Sequence, residues 1–319
     1  MKKIKFVSVL LAFVLLFTST GTTVVQAAQV RPADVEKASS GNVLLGVLGK
    51  YERVKKATIL KRLNKIRKEA CEKGYRNPAT GKTLKSSDYV EIKWSSDLES
   101  IAQLRAAECT VNEDHERPNG QTCFSISYND ETSWAECLAW NYSGLMAGIE
   151  QWYGEKNDWV KQNGNAVTGH YEALINPNLK YVGMGSFIRT SGGWYGVSAE
   201  FSFKDELDES QSDLKGSVIQ TIEVNAKNVG KVRLNAPSSV KKGKSQNLTV
   251  LRTISFPGIM GGTNKTNGRY LGKVTWTSSK PGVLSVNSKG KIIAKKAGKA
   301  TITAELSSGT TIKKTITVK

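Results

Sequence analysis

Histidine is scarce in this sequence, with only two copies, His115 and His170, among 319 residues. Cysteine is almost as rare, and no two cysteines have the CxxC spacing that a zinc ribbon uses. The sequence also contains no HExxH motif, no glycine-rich phosphate loop and no Ser-His-Asp order. These absences argue against a zinc ribbon, a zincin peptidase, a phosphate-loop protein and a triad hydrolase.

Long hydrophobic runs are missing as well, except for one near the start of the chain. An apolar run from Val7 to Phe17 follows three lysines and precedes the small-residue exit Val25-Gln26-Ala27. This tripartite pattern predicts a secretory signal peptide over residues 1–28, and a membrane anchor is the alternative. The chain ends in TITVK, without a sorting motif or a hydrophobic tail. We therefore expect a soluble, secreted protein that is extracellular or associated with the cell wall.

The four cysteines are Cys71, Cys109, Cys123 and Cys137. Outside the cell an even number of cysteines predicts disulfides, and four cysteines allow three pairings. A bond between Cys109 and Cys123 would close a short loop around His115, and this is the pairing that we favour. Cys71 and Cys137 would then remain, either joined to each other or free.

Charge of both signs is present, but it is unevenly distributed along the chain. The net charge is +18, yet residues 28–210 carry 23 basic against 25 acidic side chains, and residues 211–319 carry 20 against three. A basic surface on a secreted protein attracts polyanions such as wall teichoic acid, anionic lipid or shed nucleic acid. Lysine-rich strand edges also keep β-domains from aggregating, which is the alternative reading. Nucleic acid is not expected as a specific partner.

The residue pattern divides the chain after the signal peptide into four segments. Residues 29–51 are small and polar with one apolar patch, and predict a mobile leader or a short helix. Residues 52–204 predict helices followed by an antiparallel hairpin, an α+β pattern. Residues 205–218 have the composition of an acidic linker, which suggests two domains that move independently. Residues 219–319 consist of short alternating runs punctuated by turns, which predict an all-β sandwich of immunoglobulin size.

Three helices can be placed by residue spacing, one of them from the shared helical face of Leu145, Ile149 and Trp152. A first helix over residues 55–73, with a stop at Gly74, is predicted by four apolar residues on one helical face, Ile59, Leu63, Ile66 and Ala70. A second helix is predicted from the pair Ser96 and Glu99, which has the spacing of a capping box.

Four polar residues of the first domain are candidates for chemistry. His115 and His170 lie in polar, turn-rich segments, and Glu136 and Glu155 are flanked by tryptophans. Two imidazoles and two carboxylates are suitable ligands for zinc or another divalent ion, and they are equally suited to acid–base work. Their spacing matches no local metal motif, so the residues alone leave their convergence open.

An ordered set of motifs resembles the CAP superfamily. The motifs are "SSDLESIAQLRAAE", "HERPNG", "WAECLAWN", "WYGE" and "GHYEALINPNLKYVGMGSF", and the match covers residues 52–204. This superfamily groups cysteine-rich secretory proteins, antigen 5 and pathogenesis-related proteins, and its module is also called the SCP domain. The resemblance implies a three-layer α-β-α sandwich with an open cleft. It also implies a cleft tetrad, which here would be His115, Glu136, Glu155 and His170.

Two positions depart from the family pattern. The family's Gly-Glu-Asn is Ala135-Glu136-Cys137 here, so its asparagine is absent. Glu172 stands beside His170 where the family usually has a small hydroxyl residue, and it would be either a further ligand or a charge at the rim of the cleft.

The C-terminal segment resembles the bacterial immunoglobulin-like group 2 domain. The resemblance rests on "VTWTSSKPGVLSVNSKGKIIAKKAGKATITAELSSGTTIKKTITV" and covers about residues 229–319, with a longer insertion near "SFPGIMGGTNKTNGRYLG". It implies a spacer or adhesion module without catalytic residues.

These observations favour a binding protein over an enzyme. The cleft would bind a divalent metal, a small lipid, a peptide or a glycan, and the basic domain would hold the protein at the cell wall or surface. The alternative is a metal-dependent extracellular hydrolase with His115 and His170 as metal ligands and Glu136 or Glu155 as general base. Zinc or another divalent ion is the cofactor that either hypothesis allows. A purely structural tetrad is the third possibility.

Overall fold

The structure, a computed structural model, describes residues 28–212, 214 and 216–319. The predicted signal peptide lies outside these residues except for Ala28, so it stays a prediction. Over the ranges that are described, no helix is long and apolar enough to cross a membrane.

The helices of the described chain are α1 (Lys56–Glu72), α2 (Ser96–Glu108), α3 (Leu145–Gly154), α4 (Lys156–Val160) and α5 (Gly169–Ile175). The strands are β1 (Gln29–Arg31), β2 (Asn42–Tyr51), β3 (Lys93–Trp94), β4 (Ser127–Tyr128), β5 (Glu131–Thr132), β6 (Ala135–Asn141), β7 (Tyr181–Arg189), β8 (Tyr195–Ser202), β9 (Ser217–Asn225), β10 (Arg233–Asn235), β11 (Ser239–Val240), β12 (Ser245–Asn247), β13 (Thr249–Pro257), β14 (Thr263–Tyr270), β15 (Val274–Ser278), β16 (Leu284–Val286), β17 (Lys291–Ala294), β18 (Gly298–Leu306) and β19 (Thr311–Val318). This is the mixed α+β composition that the sequence predicts, with an all-strand C-terminal part.

The first helix forms where its spacing predicts. Its buried face contains Ile59, Leu63, Ile66 and Ala70, and the chain leaves the helix at Gly74, whose φ is +65°. A left-handed φ at this position suits glycine, because glycine has no Cβ to clash with the last turn.

The N-cap of the second helix lies one residue before the predicted Ser96. Ser95 is its N-cap, and the Ser95 side chain accepts a hydrogen bond from the backbone N–H of Leu98. Strand β7 has glycine at two points of contact with this helix, Gly183 and Gly185. A Cβ on Gly183 would lie 1.9 Å from the Glu99 backbone nitrogen, and a Cβ on Gly185 would lie 2.5 Å from the Ala102 carbonyl oxygen. The backbones of α2 and β7 therefore lie in direct contact.

The N-terminal domain has three layers. The sheet β2-β7-β8-β6 lies in the middle, and β6 is its last strand. Helices α1, α3 and α5 pack on one face around Trp94, Trp152 and Tyr171. Helix α2 packs on the other face against β7 and β8. This is the α-β-α arrangement that the resemblance implies.

The predicted leader is a structural part of this sheet. Residues 29–51 form β1 and β2, not a mobile segment or a short helix. Strand β2 pairs with β9 along one edge, and with β14 and β7 along the other. Leu45 and Val47 are buried in the core on the α2 side. The glycines and small residues that suggested mobility instead allow close contact, since a Cβ on Gly49 would lie 2.2 Å from the Phe187 ring.

The described residues 205–212 of the acidic segment lie against the first domain. The backbone carbonyl of Asp208 accepts from Ser96, and Ser212 donates both its N–H and its hydroxyl to the buried Glu99 carboxylate. Gln211 accepts from the backbone N–H of Lys56. These contacts contradict the independently moving linker that composition suggested, because the Gln211 side chain satisfies an N–H at the start of α1 and the Asp208 backbone carbonyl satisfies one at the start of α2.

The C-terminal part contains two further sheets. Strands β11-β19-β18-β15 form one sheet and β12-β17-β16 form the other. They enclose a core built around Leu248, Leu284, Ile292, Ile302 and Ile316. The alternation of Ala300, Ile302 and Ala304 along β18 places these three residues in the interior, as the sequence pattern predicts.

The two parts of the chain share one ten-stranded sheet. Strand β9, expected in the C-terminal domain, pairs with β2, and the hairpin β13–β14 joins the free edge of β2 through Arg269 and Tyr270. The hairpin also reaches the first domain by side chains, since the Asn264 amide donates to the carbonyls of Thr110 and Val111 at 3.0 Å. The segment noted as an insertion is this hairpin.

Candidate functional site

The first His–Glu pair joins a loop to the edge strand. His115 lies in the loop after α2, and Glu136 is the second residue of β6. His115 Nδ1 lies 2.7 Å from Glu136 Oε1. The His115 side chain is 55 % exposed and that of Glu136 only 1 %. The imidazole therefore faces solvent while its carboxylate partner is buried behind it.

Arg105 of α2 keeps the buried Glu136 charged. Its Nε donates to Glu136 Oε2 at 2.5 Å, and its Nη2 donates to Oε1 at 3.2 Å. Burial by itself raises the pKa of Glu136, but the Arg105 charge and the hydrogen bonds from His115 and Arg105 outweigh it and lower the pKa to about 2. Glu136 is therefore a carboxylate in the folded protein.

A wider ion-pair network positions the His115 loop. Glu108 accepts from Arg105 Nη1 at 2.9 Å and from Arg117 Nη2 at 2.8 Å. Arg117, at the far end of the loop, also makes a two-bond contact with Asp34 at 2.8 Å for each bond. Because Arg105, Glu108 and Arg117 are buried, removing one partner leaves an uncompensated charge. The N-terminal segment therefore takes part in holding the loop through Asp34.

A second buried carboxyl, Glu200 of β8, lies directly opposite Glu136 in the β6–β8 ladder. Its burial and the neighbouring Glu136 charge raise its pKa well above the usual range. Glu200 Oε1 accepts from Ser198 at 2.6 Å, whereas Oε2 receives no hydrogen bond from the described residues. A protonated carboxyl can act as a hydrogen-bond donor, and the neighbouring Glu200 helps to lower the pKa of Glu136. We conclude that Glu200 is the protonated and Glu136 the ionised member of this carboxyl pair.

The second His–Glu pair joins α5 to the end of α3. His170 Nδ1 lies 2.5 Å from Glu155 Oε1. Glu155 Oε2 also accepts the backbone N–H groups of His170 and Tyr171, each at 3.1 Å. The carboxylate therefore satisfies free N–H groups in the first turn of α5 and fixes the imidazole at the same time. The side chains are 23 % and 17 % exposed.

The two pairs lie on opposite faces of the edge strand. Glu136 and Cys137 are consecutive in β6, so their side chains leave the strand on opposite sides. Glu136 turns to Arg105 of α2, whereas the Cys137 thiol lies 3.9 Å from the backbone carbonyl of His170 in α5. A separate groove of 770 Å³ on the outer side of α1 is lined by none of the four predicted site residues.

The metal that the family resemblance implies fits one of the two pairs. Three donor atoms, from His115, Cys123 and Glu136, lie within 4.8 Å of one another, and they form the one such group found in the part of the chain that the structure describes. His170 and Glu155 do not belong to it. The structure therefore gathers a nitrogen, a sulfur and an oxygen donor at the first pair, and does not gather both histidines with a third donor.

The predicted disulfides are absent, since all four cysteines are free and buried. Cys109 and Cys123, the favoured pair, have different surroundings. The Cys109 thiol donates to the Ala106 carbonyl at 3.4 Å, whereas Cys123 lies beside His115 and Glu136. The loop that a disulfide would close is held by the Arg117 network and by turn hydrogen bonds, such as that from the Gly120 N–H to the Arg117 carbonyl.

Glu172 is bonded within its own helix turn. Its Oε1 accepts from the Thr168 hydroxyl at 2.7 Å, and it belongs to no group of three metal ligands among the residues described. The contact supports the interpretation of a rim charge.

Three residues of this site were missed by sequence reasoning. Arg105 is an ordinary position in a helical pattern, and Cys123 was assigned to a disulfide. Glu200 stands between the apolar residues that marked β8 as a strand. A charged residue inside an otherwise small and apolar strand is the one signal that could have pointed to Glu200.

The fold and the site define the class of protein. It has a three-layer α-β-α domain with two His–Glu pairs at its edge strand, and an all-strand domain follows. Residues 60–201 match the model of the cysteine-rich secretory protein family, CAP, and residues 233–318 match that of the bacterial Ig-like domain, group 2. The chain therefore combines a CAP domain with a group 2 bacterial immunoglobulin-like domain, and both resemblances are confirmed.

One curated relative is Venom allergen 5 from Rhynchium brunneum, which is 25% identical over 111 residues. The match covers 33% of this chain and 47% of the relative, so the chain spans about half the length of the curated protein it matches.

Two solved structures of intimin are also similar in part. A mutant intimin of EHEC O157:H7 has 14% identity and a TM-score of 0.21, over 28% of this chain and 46% of that chain. A C-terminal 282-residue intimin fragment, solved in complex with the translocated intimin receptor intimin-binding domain, has 19% identity and a TM-score of 0.17, over 43% and 50%. At these TM-scores the likeness carries no argument about this chain.

Proposed function

We propose that this protein is secreted, stays associated with the cell wall or surface, and binds a small lipid, peptide or glycan at the edge of its CAP domain, with or without a divalent metal. The observation that carries the proposal is the presence of two hydrogen-bonded His–Glu pairs on the two faces of one edge strand, β6. The β6 carbonyls of Leu138 and Trp140 already accept hydrogen bonds from the Trp152 indole N–H and the Gln151 amide. A ligand at this edge would therefore be bound through the two imidazoles, one on each face of the strand.

The chemistry of the pairs suits ligand binding. In both pairs the carboxylate contacts Nδ1 of the imidazole, which leaves Nε2 available. A carboxylate on one ring nitrogen fixes the orientation and the tautomer of the ring, and makes the other nitrogen a better ligand or hydrogen-bond acceptor. Because His115 is more exposed than His170, the two rings would contact different parts of one ligand.

The scarcity of histidine gives a direct test. With two histidines in the chain, the imidazole carbon-bound protons give two sets of NMR signals, which His115→Ala and His170→Ala assign. Metal-free protein is titrated separately with soluble wall glycan fragments, with lipid micelles and with a short peptide. We expect one probe to shift both sets of signals, and each alanine variant to bind that probe more weakly. Saturating amounts of all three probes without a shift would contradict binding at this edge, and cleavage of a probe by metal-loaded protein would favour the hydrolase.

Surface association is supported by a compact group of lysines in the C-terminal domain. The loop after β11 and the loop after β17 are joined by backbone hydrogen bonds, from Gly243 to the Ala294 carbonyl at 2.7 Å and from Ala294 to the Lys244 carbonyl at 3.0 Å. These loops bring five exposed lysines together. We define the lysine cluster as Lys241, Lys242, Lys244, Lys295 and Lys296. Several like charges on neighbouring loops attract a polyanion more strongly than the same charges dispersed.

The lysine cluster can be tested with a variant of equal charge. The full chain, rather than a C-terminal fragment, is the suitable protein because β9 and β14 pair with β2 of the first domain. We expect wild type to sediment with purified cell walls at low ionic strength and to release as salt rises. Replacing the lysine cluster by glutamines should abolish sedimentation. Replacing five exposed lysines of the α1 region is the control and should preserve it: Lys55, Lys61, Lys65, Lys68 and Lys73. If both variants lose wall binding equally, the binding depends on the net charge of the protein and not on the lysine cluster.

A further inference from the structure

We propose that His115, Cys123 and Glu136 form a binding site for a thiophilic divalent ion such as Zn²⁺, with one imidazole, one thiolate and one carboxylate as ligands. The inference deepens the proposed function, because His115 and Glu136 belong to the proposed binding edge. It differs from a site between the two histidines, since its third protein ligand is Cys123 and His170 takes no part.

The first support is the grouping of the donor atoms. The three ligand atoms lie within 4.8 Å of one another, close enough for one ion to contact all three after small side-chain shifts. Glu136 is already oriented for this role. Arg105 holds Oε2 through its Nε and also donates to Oε1 through its Nη2 at 3.2 Å, while Oε1 lies 2.7 Å from His115 Nδ1. Since a ligating carboxylate is usually held by such an outer partner, Arg105 would be the positioning residue of the site.

The second support is the position of Cys123. It begins a short 3-10 turn, Cys123–Ser125, that follows the His115 loop, and only 5 % of the residue is exposed. Its sulfur belongs to the same group of ligand atoms as those of His115 and Glu136, all within 4.8 Å of one another. A divalent cation bound there would replace the proton of the thiol and offset the negative charge of Glu136.

The binding step is a ligand exchange without a redox change. The Cys123 thiol releases its proton to water as the sulfur bonds to the ion. The hydrogen bond between His115 and Glu136 is replaced by one bond from each to the ion, and a proton on His115 Nδ1 moves to Nε2 or to water. Three protein ligands leave a position on the ion for a water or another ligand. The exposed imidazole places that position near solvent.

Cobalt(II) is the probe, because a cobalt–thiolate bond gives a charge-transfer absorption in the near ultraviolet that nitrogen and oxygen ligands do not give. The reduced full chain is titrated with Co²⁺ and then with Zn²⁺ as competitor. We expect one equivalent of Co²⁺ to produce the thiolate band, and Zn²⁺ to remove it. Cys123→Ser should abolish the band and weaken binding by about 10-fold or more. Cys71→Ser, which replaces another buried cysteine, and His170→Ala should retain the thiolate band and the affinity for Co²⁺.

Two results would overturn the inference: no thiolate band in wild type, or a band that survives in Cys123→Ser. Loss of binding in His170→Ala with retention in Cys123→Ser would assign the ion to the two histidines instead. If Cys123→Ser fails to fold, alkylation of wild type replaces it. Zn²⁺ should slow labelling of Cys123 by about 10-fold and leave Cys71 unchanged, and equal Cys123 labelling with and without Zn²⁺ would overturn the site. Ligand and wall binding are measured on metal-free protein, so their failure is a separate result.

Discussion

The buried carboxyl pair of β6 and β8 makes a specific prediction about pH. Glu200 faces Glu136 across the ladder and lies near Arg105, with Ser198 as hydrogen-bond donor. Its raised pKa means that the folded chain keeps Glu200 protonated at pH values where the unfolded chain ionises it. The contribution of Glu200 to stability is therefore fully present below about pH 4.5 and is lost as pH rises toward its folded pKa.

The perturbation is Glu200→Gln, which keeps the shape and the ability to donate to Glu136 but has no charge to acquire. For each pH unit between about 4.5 and the raised pKa of Glu200, the free energy of unfolding of wild type falls by about 1.4 kcal/mol through Glu200. The variant does not show this loss. Above about pH 4.5 the free energy of unfolding of the variant should therefore gain on wild type, by up to about 1.4 kcal/mol per pH unit, until the pH reaches the raised pKa of Glu200. Glu136, with a pKa of about 2, stays ionised across this range and adds no slope of its own.

The assay is urea unfolding followed by tryptophan fluorescence, in a chelating and reducing buffer, at half-unit pH steps. The control is Glu206→Gln, because Glu206 is exposed and water solvates its charge in the folded and the unfolded chain alike. We expect the control to run parallel to wild type and Glu200→Gln to diverge from both with rising pH. Parallel curves for all three proteins would refute the assignment of Glu200 as the protonated member of the pair.

Three further perturbations test other parts of the structure. Gly183→Ala should lower the free energy of unfolding by about 1–3 kcal/mol in urea, because its Cβ would lie 1.9 Å from the Glu99 backbone nitrogen; an unchanged midpoint would contradict the contact of α2 with β7. Arg105→Met should cost about 3–5 kcal/mol by the same assay, since it leaves buried Glu136 without its cation, and a cost below about 1 kcal/mol would mean that the network is not coupled to the fold. Deletion of residues 29–51 should abolish the cooperative thermal transition monitored by circular dichroism, because β2 pairs with three other strands, and a preserved transition would restore the interpretation of these residues as a leader.

Local patterns in the sequence were sufficient for the elements whose residues are close together in the chain. The four-residue apolar face of α1 and the alternation in β18 depend on the geometry of a single helix or strand, which has a fixed period. The order of the motifs also identified the two domain families, and it pointed to four polar residues that the structure joins as two His–Glu pairs. The N-cap at Ser95 rather than Ser96 shows the limit of such patterns, since either serine could cap the helix.

The pairing of distant strands was beyond the reach of local patterns. Residues 29–51 read as a leader because their glycines and polar residues resemble a flexible segment, yet in the structure β2 pairs with strands from both domains. Likewise the acidic composition of residues 205–218 does not reveal that the Gln211 side chain and the Asp208 backbone carbonyl accept the free N–H groups of Lys56 and Ser96 at the starts of α1 and α2. Composition describes a segment alone, whereas pairing depends on what lies beside it.

The sequence by itself determined the two domain classes and the separate His and Glu positions, because these depend on residue identity and on short, regular spacing. Only the tertiary structure decided which of them meet. It joined His115 to Glu136 and His170 to Glu155, placed the pairs on opposite faces of β6, and set Arg105, Cys123 and Glu200 around the first pair. Those neighbours are distant along the chain, and they become neighbours only when α2 packs on the sheet and β6 pairs with β8.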